Sequence, residues 1–151
     1  MSFRIRRAVP GDAPALHALN LAFNGDTGVT VEQIRHSLLS CPETVLLAEC
    51  DGVPAGFCCA QVHHSFCYPA PVAEVTEMYV SPVHRRKGCA AALLQALEEE
   101  LCARCGVDEI HLLTGMDNHA ARSAYEKAGF RHHPEAYMTK ALKPSGNMPG
   151  A

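Results

Sequence analysis

The sequence predicts a single α/β (α+β) domain with the element order β-α-α-β-β-β-α-β-α-β-β, and three observations carry that expectation. Segments whose apolar residues repeat every second position alternate with segments of helical period. Asp51-Gly52 joins two apolar runs in the manner of a two-residue hairpin. A β-branched and aromatic run over 75–80 stops at a proline, and the basic turn Arg85-Arg86-Lys87-Gly88 that follows opens into an Ala/Leu-rich helix.

The elements follow in order. Residues 3–9 alternate apolar and basic side chains as a first strand. Pro10-Gly11-Asp12 starts a helix, with Asp12 as its cap, Pro14 in its first turn and Leu16, Leu19 and Phe23 on its apolar face. Residues 24–28 break it. Thr30 and Gln33 have the spacing of a capping box for a second helix, to about residue 40. The hairpin spans 45–50 and 55–64, and a looser stretch with two prolines, 65–71, leads to the strand ending at Val80. The long helix places Leu93, Leu94, Leu97 and Leu101 on one side and stops at Gly106. Residues 109–114 form a short strand, Asn118 caps a helix to Lys127, and 131–133 and 136–142 are expected as two last strands around Pro134. Residues 1–142 make the domain, and the Pro/Gly-rich 143–151 is expected as a frayed tail.

The 151 residues suit one core, and a formal net charge of −3 argues against a nucleic-acid binder, which would carry a basic excess. No run of apolar residues is long enough for a membrane span, and the basic N-terminus leads into no signal core, so a cytoplasmic protein is expected. The eight cysteines lie within strand and helix patterns and are expected as free thiols. Cys102-x-x-Cys105 lacks a second ligand pair, and His63-His64 with Cys67 is a weak cluster, so no metal is expected.

The basic turn carries the chemistry. A glycine lets backbone N–H groups approach a ligand, a helix N-terminus adds partial positive charge, and Arg and Lys side chains complete a phosphate socket. Neither a Walker loop nor a Gly-x-Gly-x-x-Gly fingerprint is present. The spacing Arg85-x-x-Gly88-x-Ala90 resembles the Gln/Arg-x-x-Gly-x-Gly/Ala signature of the GCN5-related N-acetyltransferase (GNAT) family. A second segment, Asn118-x-x-Ala121-x-x-x-Tyr125-Glu126-Lys127-x-Gly129-Phe130, resembles that family's later helix. The resemblance covers nearly the whole chain, about 3–142.

That resemblance implies a mixed, mostly antiparallel central sheet flanked by helices on both faces. It implies acetyl-coenzyme A as cosubstrate, held by Arg85, Arg86, Lys87, Gly88, Cys89 and Ala90 at the pyrophosphate. The backbone of Met78, Tyr79 and Val80 would lie along the pantetheine arm, with Asn118 and Tyr125 nearby. Ala90 stands where a second glycine is commoner, and Cys89 where an aliphatic residue is usual. Tyr125 is the implied acid for the leaving thiolate, since a phenol is protonated near neutrality. Glu77 is favoured as general base, with Glu74 the alternative. Strict alternation puts these carboxylates on opposite sides of the strand unless a bulge intervenes, and a bulge here is a habit of the family. The histidines 63, 64 and 119 are weaker candidates.

The expected reaction is direct acetyl transfer to a primary amine, with a small-molecule amine (polyamine, aminoglycoside or amino-acid derivative) ahead of a protein N-terminus or lysine. A non-catalytic acyl-coenzyme A binding module and a Cys/His metal-binding domain are the competing readings. The family's pairing through C-terminal strands leaves a homodimer open.

Overall fold

Five strands form one sheet in the computed structural model, which describes residues 1–143. They are β1 (Arg4–Arg7), β2 (Thr44–Cys50), β3 (Val53–His63), β4 (Val72–Val80) and β5 (Glu109–Leu112). The sheet runs in sequence order, antiparallel from β1 to β4 and parallel between β4 and β5. The helices are α1 (Ala13–Asn24), α2 (Val31–Ser40), α3 (Cys89–Cys105) and α4 (His119–Lys127). Only β4 to β5 requires a crossover, and α3 supplies it.

Side-chain alternation sorts the core into two layers. Leu46, Ala48, Cys58, Ala60, Ala73 and Val75 face α3, where Leu93, Leu97 and Leu101 are fully buried. Burying such a leucine contributes about 2 kcal/mol. Leu47, Phe57, Cys59 and Tyr79 face the other way, against Leu16 and Leu19 of α1, with Ile34 and Leu38 of α2 at the margin. Helices therefore cover both faces, as expected.

Local signals hold where their chemistry is short-range. Asp51 and Gly52 both take left-handed backbone (φ 51° and 79°), the geometry a tight hairpin turn needs. Thr30 accepts from the Gln33 N–H at 3.1 Å while the Gln33 side chain accepts from the Thr30 N–H at 2.8 Å, completing the capping box. Asp12 departs from expectation. It occupies the N-cap position of α1, but its side chain makes no cap hydrogen bond there; its carboxylate accepts from the Arg6 guanidinium (2.7 and 2.8 Å) and from the Val9 N–H (2.7 Å). A charge-assisted pair outcompetes a neutral backbone donor, and Arg6 also bridges to Glu49 at 2.6 Å. These contacts pull the Asp12 carboxyl below the usual range, chiefly through the Arg6 hydrogen bonds.

The two strands expected at 131–133 and 136–142 do not form: the chain after α4 runs to residue 143 without strand pairing. Tyr137, Met138 and Leu142 are 72%, 87% and 88% exposed, so the segment's β-favouring residues bury nothing within the chain. Strand propensity reflects packing on a half-buried surface, and without that surface it does not suffice. The tail expected beyond residue 143 lies outside the described residues. All eight cysteines are free thiols. No helix among the described residues is long and apolar enough to cross a membrane.

Gly56 sets how closely β3 approaches β4. A Cβ added there would lie 2.4 Å from the Tyr79 carbonyl oxygen and 3.1 Å from the Val80 Cα, both backbone atoms that cannot swing aside. Gly56→Ala should destabilise the fold by about 2–3 kcal/mol, read as a lower denaturant midpoint with an unchanged m-value.

Candidate active site

The geometry of the site begins at an irregularity in β4. Cys59 pairs with Glu77 and Ala60 with Val75, so Thr76 is an extra residue without a partner on β3. The bulge resets the alternation. Val75, Met78 and Val80 now share the α3 face, while Glu74 and Glu77, opposite Gln61 and Cys59, share the α1/α2 face with Tyr79. The two candidate bases therefore stand on one face, the outcome that strict alternation forbids.

The bulge also marks where β4 loses β5. Their parallel pairing runs from Val72–Glu109 to Val75–Leu112 and ends there. Beyond it, β4 has a free side. The Ser81 N–H donates to the Ala55 carbonyl at 2.9 Å, which makes Gly56–Val80 a non-hydrogen-bonded pair of the antiparallel ladder. By alternation, Val80 and Met78 turn their peptide groups away from β3 and into the open slot. Tyr79 is placed otherwise. Its peptide belongs to the ladder, and its buried ring stacks on Phe23 at 5.1 Å, so it reaches the slot with neither.

At the end of β4 the chain makes a short 3-10 turn, Pro82–His84, steadied by a Ser81 Oγ–His84 Nδ1 hydrogen bond of 2.7 Å. The basic turn follows. Arg86 (φ 59°) and Gly88 (φ 89°) are both left-handed, two residues apart, a backbone pattern that builds anion-binding nests. Holding a non-glycine residue there costs about 1 kcal/mol. Gly88 is the N-cap of α3, no side chain caps the helix, and its first backbone bond runs from Ala92 N–H to the Gly88 carbonyl. The N–H groups of Gly88, Cys89, Ala90 and Ala91 thus have no intrahelical partner.

Arg85 folds back so that its Nε donates to the Val80 carbonyl at 2.9 Å, with its guanidinium 5.7 Å above the Tyr79 ring. Lys87 Nζ donates to the Val83 carbonyl at 2.7 Å. Cys89 contributes only backbone: its side chain is buried beneath the helix, and burial pushes the thiol up to about 11. These groups form a cationic turn at one end of the slot, suited to a pyrophosphate.

Tyr125 stands on α4, edge-on to Phe130 at 5.8 Å. Burial raises its phenol, and the nearby Cys58 thiol adds to the effect, so it is protonated at neutrality. Cys58, whose charge Tyr125 senses, is the cross-strand partner of Met78. Asn118 acts as a cap, its Oδ1 accepting from the Ala121 N–H at 3.2 Å.

The Glu77 carboxylate is open to solvent, yet the protein around it excludes enough water to raise its pKa. Glu74 is engaged by His63 at 3.4 Å, and His63 stacks on His111. Among the described residues, no three His, Cys, Asp or Glu side chains gather as a metal set. One carboxylate escaped sequence reasoning. Glu43, in the α2–β2 link, accepts from the Thr76 hydroxyl at 3.5 Å and senses the charge of Glu77. It lies in no motif, and only the folded register reveals it.

Known proteins share the sequence pattern and the fold. The acetyltransferase (GNAT) family profile matches residues 15–130. An aminoglycoside N(6')-acetyltransferase type 1 from Stenotrophomonas maltophilia is 28% identical over 146 residues, covering 93% of this chain and 95% of that protein. AAC(6')-Iy, solved with a bisubstrate analogue of CoA and acetylneamine, superposes with a TM-score of 0.82 at 19% identity, covering 95% of this chain and 100% of that one. A ribosomal-protein-alanine N-acetyltransferase from Brucella melitensis superposes with a TM-score of 0.76 at 21% identity, over 93% and 100% of the two chains. Matched by that family over most of its length, the chain belongs to the GNAT acetyltransferase family and is an acyltransferase.

Proposed function

We propose that the protein transfers an acetyl group directly from acetyl-coenzyme A to a primary amine of a small cationic molecule, an aminoglycoside or polyamine in the first instance. The observation that carries this reading is the slot beside β4. Its open side begins where β5 ends and leads to the turn 85–90; Glu77 on β4 is read as the base and the protonated phenol of Tyr125 as the acid. When bound, acetyl-coenzyme A supplies an activated acyl carbon and a thiolate leaving group.

Each residue then has a task. The nest at Arg86 and Gly88 and the N–H groups opening α3 hold the pyrophosphate, with Arg85 and Lys87 close by. The Met78 and Val80 peptides orient the pantetheine arm and the thioester, and a main-chain donor on the thioester oxygen lowers the barrier by several kcal/mol, roughly 3. Glu77 takes one proton from the acceptor ammonium, directly or through water, leaving a neutral amine. As the C–N bond forms and the C–S bond breaks, Tyr125 protonates the departing sulfur. The nitrogen's second proton returns to the phenol, and Glu77 releases its own to solvent.

A cationic acceptor is favoured because Glu43, Glu74 and Glu77 stand on the α1/α2 side of the sheet. The full-length similarity to an aminoglycoside N(6')-acetyltransferase supports the same class. A homodimer through the C-terminal segment belongs to the same reading, supported by the exposure of Tyr137, Met138 and Leu142.

The deciding experiment measures free thiol release from acetyl-coenzyme A across aminoglycosides, polyamines, amino-acid amides and N-terminal peptides. Turnover with the first two classes is the expected result. Turnover with peptides alone would move the acceptor to a protein, and tight cofactor binding without any turnover would leave a binding module. Tyr125→Phe should lower kcat by about 100-fold or more while the Kd for acetyl-coenzyme A from calorimetry stays unchanged. Gly88→Glu should abolish that binding without unfolding the protein. The space over Gly88 is open, so the loss comes from an unfavourable left-handed conformation and from a negative charge placed where phosphate must sit.

A further inference from the structure

Arg85 opens the anion-binding turn, and two consecutive residues of β4 hold its side chain. The Val80 carbonyl accepts from Nε at 2.9 Å, and the guanidinium carbon stands 5.7 Å from the centre of the Tyr79 ring. The hydrogen bond fixes one edge of the guanidinium, and the ring meets the cation with the negative face of its quadrupole. Among the described residues Arg85 forms no ion pair with a carboxylate. Its Nη donors are not spent on a protein anion, unlike those of Arg6, which grip Asp12 and Glu49.

The Tyr79 ring is a fixed support. It is 6% exposed and belongs to the core layer of Leu16, Leu19 and Leu47. Phe23, in the last turn of α1, stacks on it at 5.1 Å with the planes 28° apart, and Phe57 of β3 adjoins it at 6.2 Å. A ring packed in this way keeps its orientation, whereas a free arginine side chain samples many rotamers. Ordering that chain during binding lowers affinity, and ordering it beforehand removes the loss.

We propose that Tyr79 is a positioning residue for the cofactor: braced by Phe23, its ring holds the Arg85 guanidinium in place before the ligand arrives, so that the Nη donors are ready for pyrophosphate oxygens beside the nest at Arg86 and Gly88. This rests on the reading of the turn 85–90 as the pyrophosphate site. It gives a task to a residue that reaches the slot with neither its peptide nor its ring.

The test is calorimetric titration of coenzyme A against wild type, Tyr79→Phe, Tyr79→Leu, Arg85→Lys, Arg85→Ala and the double variant Tyr79→Leu/Arg85→Ala. Arg85→Ala should raise Kd by roughly 30-fold, and Tyr79→Leu, with Arg85 still present, by roughly fivefold. Tyr79→Phe keeps the ring and should bind as wild type does. Arg85→Lys keeps the charge without the planar fork and should recover little of the loss. The double variant should bind no more weakly than Arg85→Ala, because the ring acts only through the guanidinium. Losses that multiply, to roughly 150-fold in the double variant, would make Tyr79 merely structural and overturn the proposal. Weak binding by Tyr79→Phe would overturn it too, since the hydroxyl would then be the contact. If Tyr79→Leu does not fold, Arg85→Lys decides: affinity equal to wild type would show that a point charge suffices. The Arg85 Nε–H resonance of the nitrogen-labelled protein, identified by its absence in Arg85→Lys, reads the same contact without cofactor. The ring current should displace it in wild type and Tyr79→Phe, and Tyr79→Leu should return it towards the position of a free arginine. A wild type that binds no coenzyme A would defeat the pyrophosphate reading, whereas an Arg85 resonance unmoved by Tyr79→Leu would defeat this one.

Discussion

The structure turns on one inserted residue. Thr76 has no partner on β3, and the consequences spread in every direction from it. It sits where the pairing of β4 with β5 stops, beyond which the peptides of Met78 and Val80 have no neighbouring strand on that side among the described residues. It brings Glu74 and Glu77 to the same face. It keeps Met78 and Val80 on the α3 side with Val75, so the core beneath α3 remains continuous across the defect. A sheet of regular register would satisfy its own backbone and have nothing left to offer a ligand. The bulge withdraws part of one strand from the ladder at the cost of a few internal hydrogen bonds, and the rest of the fold holds that arrangement open.

The surrounding packing makes this tolerable. Gly56 lets β3 press against the far end of β4, so the strand is anchored beyond the bulge as well as before it. Below, Leu93, Leu97 and Leu101 fix α3 to the sheet, which fixes the helix N-terminus and the left-handed turn in front of it. Above, Phe23, Phe57 and Tyr79 form an aromatic cluster that seats Arg85. The backbone donors of the site are thus organised by apolar contacts on both faces. Electrostatic preorganisation here derives from hydrophobic burial, because the dipoles cannot turn away without disrupting a core layer.

Much of this was legible in the sequence, and the division between what was and what was not has a physical basis. Asp51-Gly52, Thr30 with Gln33 and Gly106 act within four residues of themselves, so composition alone announces them. Arg85, Gly88 and Tyr125 sit in spaced motifs, and those spacings point to a ligand-binding turn and a later helix. The Asp12 side chain was misread as a helix cap because its competitor, Arg6, is brought near only when β1 packs beside the 3-10 turn. The two final strands were misread because residues 131–142 have strand propensity without an apolar surface in the same chain to receive them. Glu43 could not be found at all. Its significance depends on a register shift between two strands, and a shift of one residue leaves no trace in the periodicity of either.

The thiols bear on how the acyl group moves. Cys58, Cys59 and Cys89 lie near the slot, and an acyl-cysteine intermediate would need one of them as thiolate. Burial pushes Cys58 up to about 12 and Cys89 to about 11, and Cys59 is also raised, chiefly by burial, with the charges of Glu43 and Glu77 adding to it. At neutral pH a thiol at 11 is ionised about once in 10,000 molecules, and the thiolate is the nucleophile. Burial, more than the neighbouring carboxylates, thus keeps Cys59 protonated. Direct transfer, as proposed above, is therefore consistent with thiols that stay protonated at neutral pH.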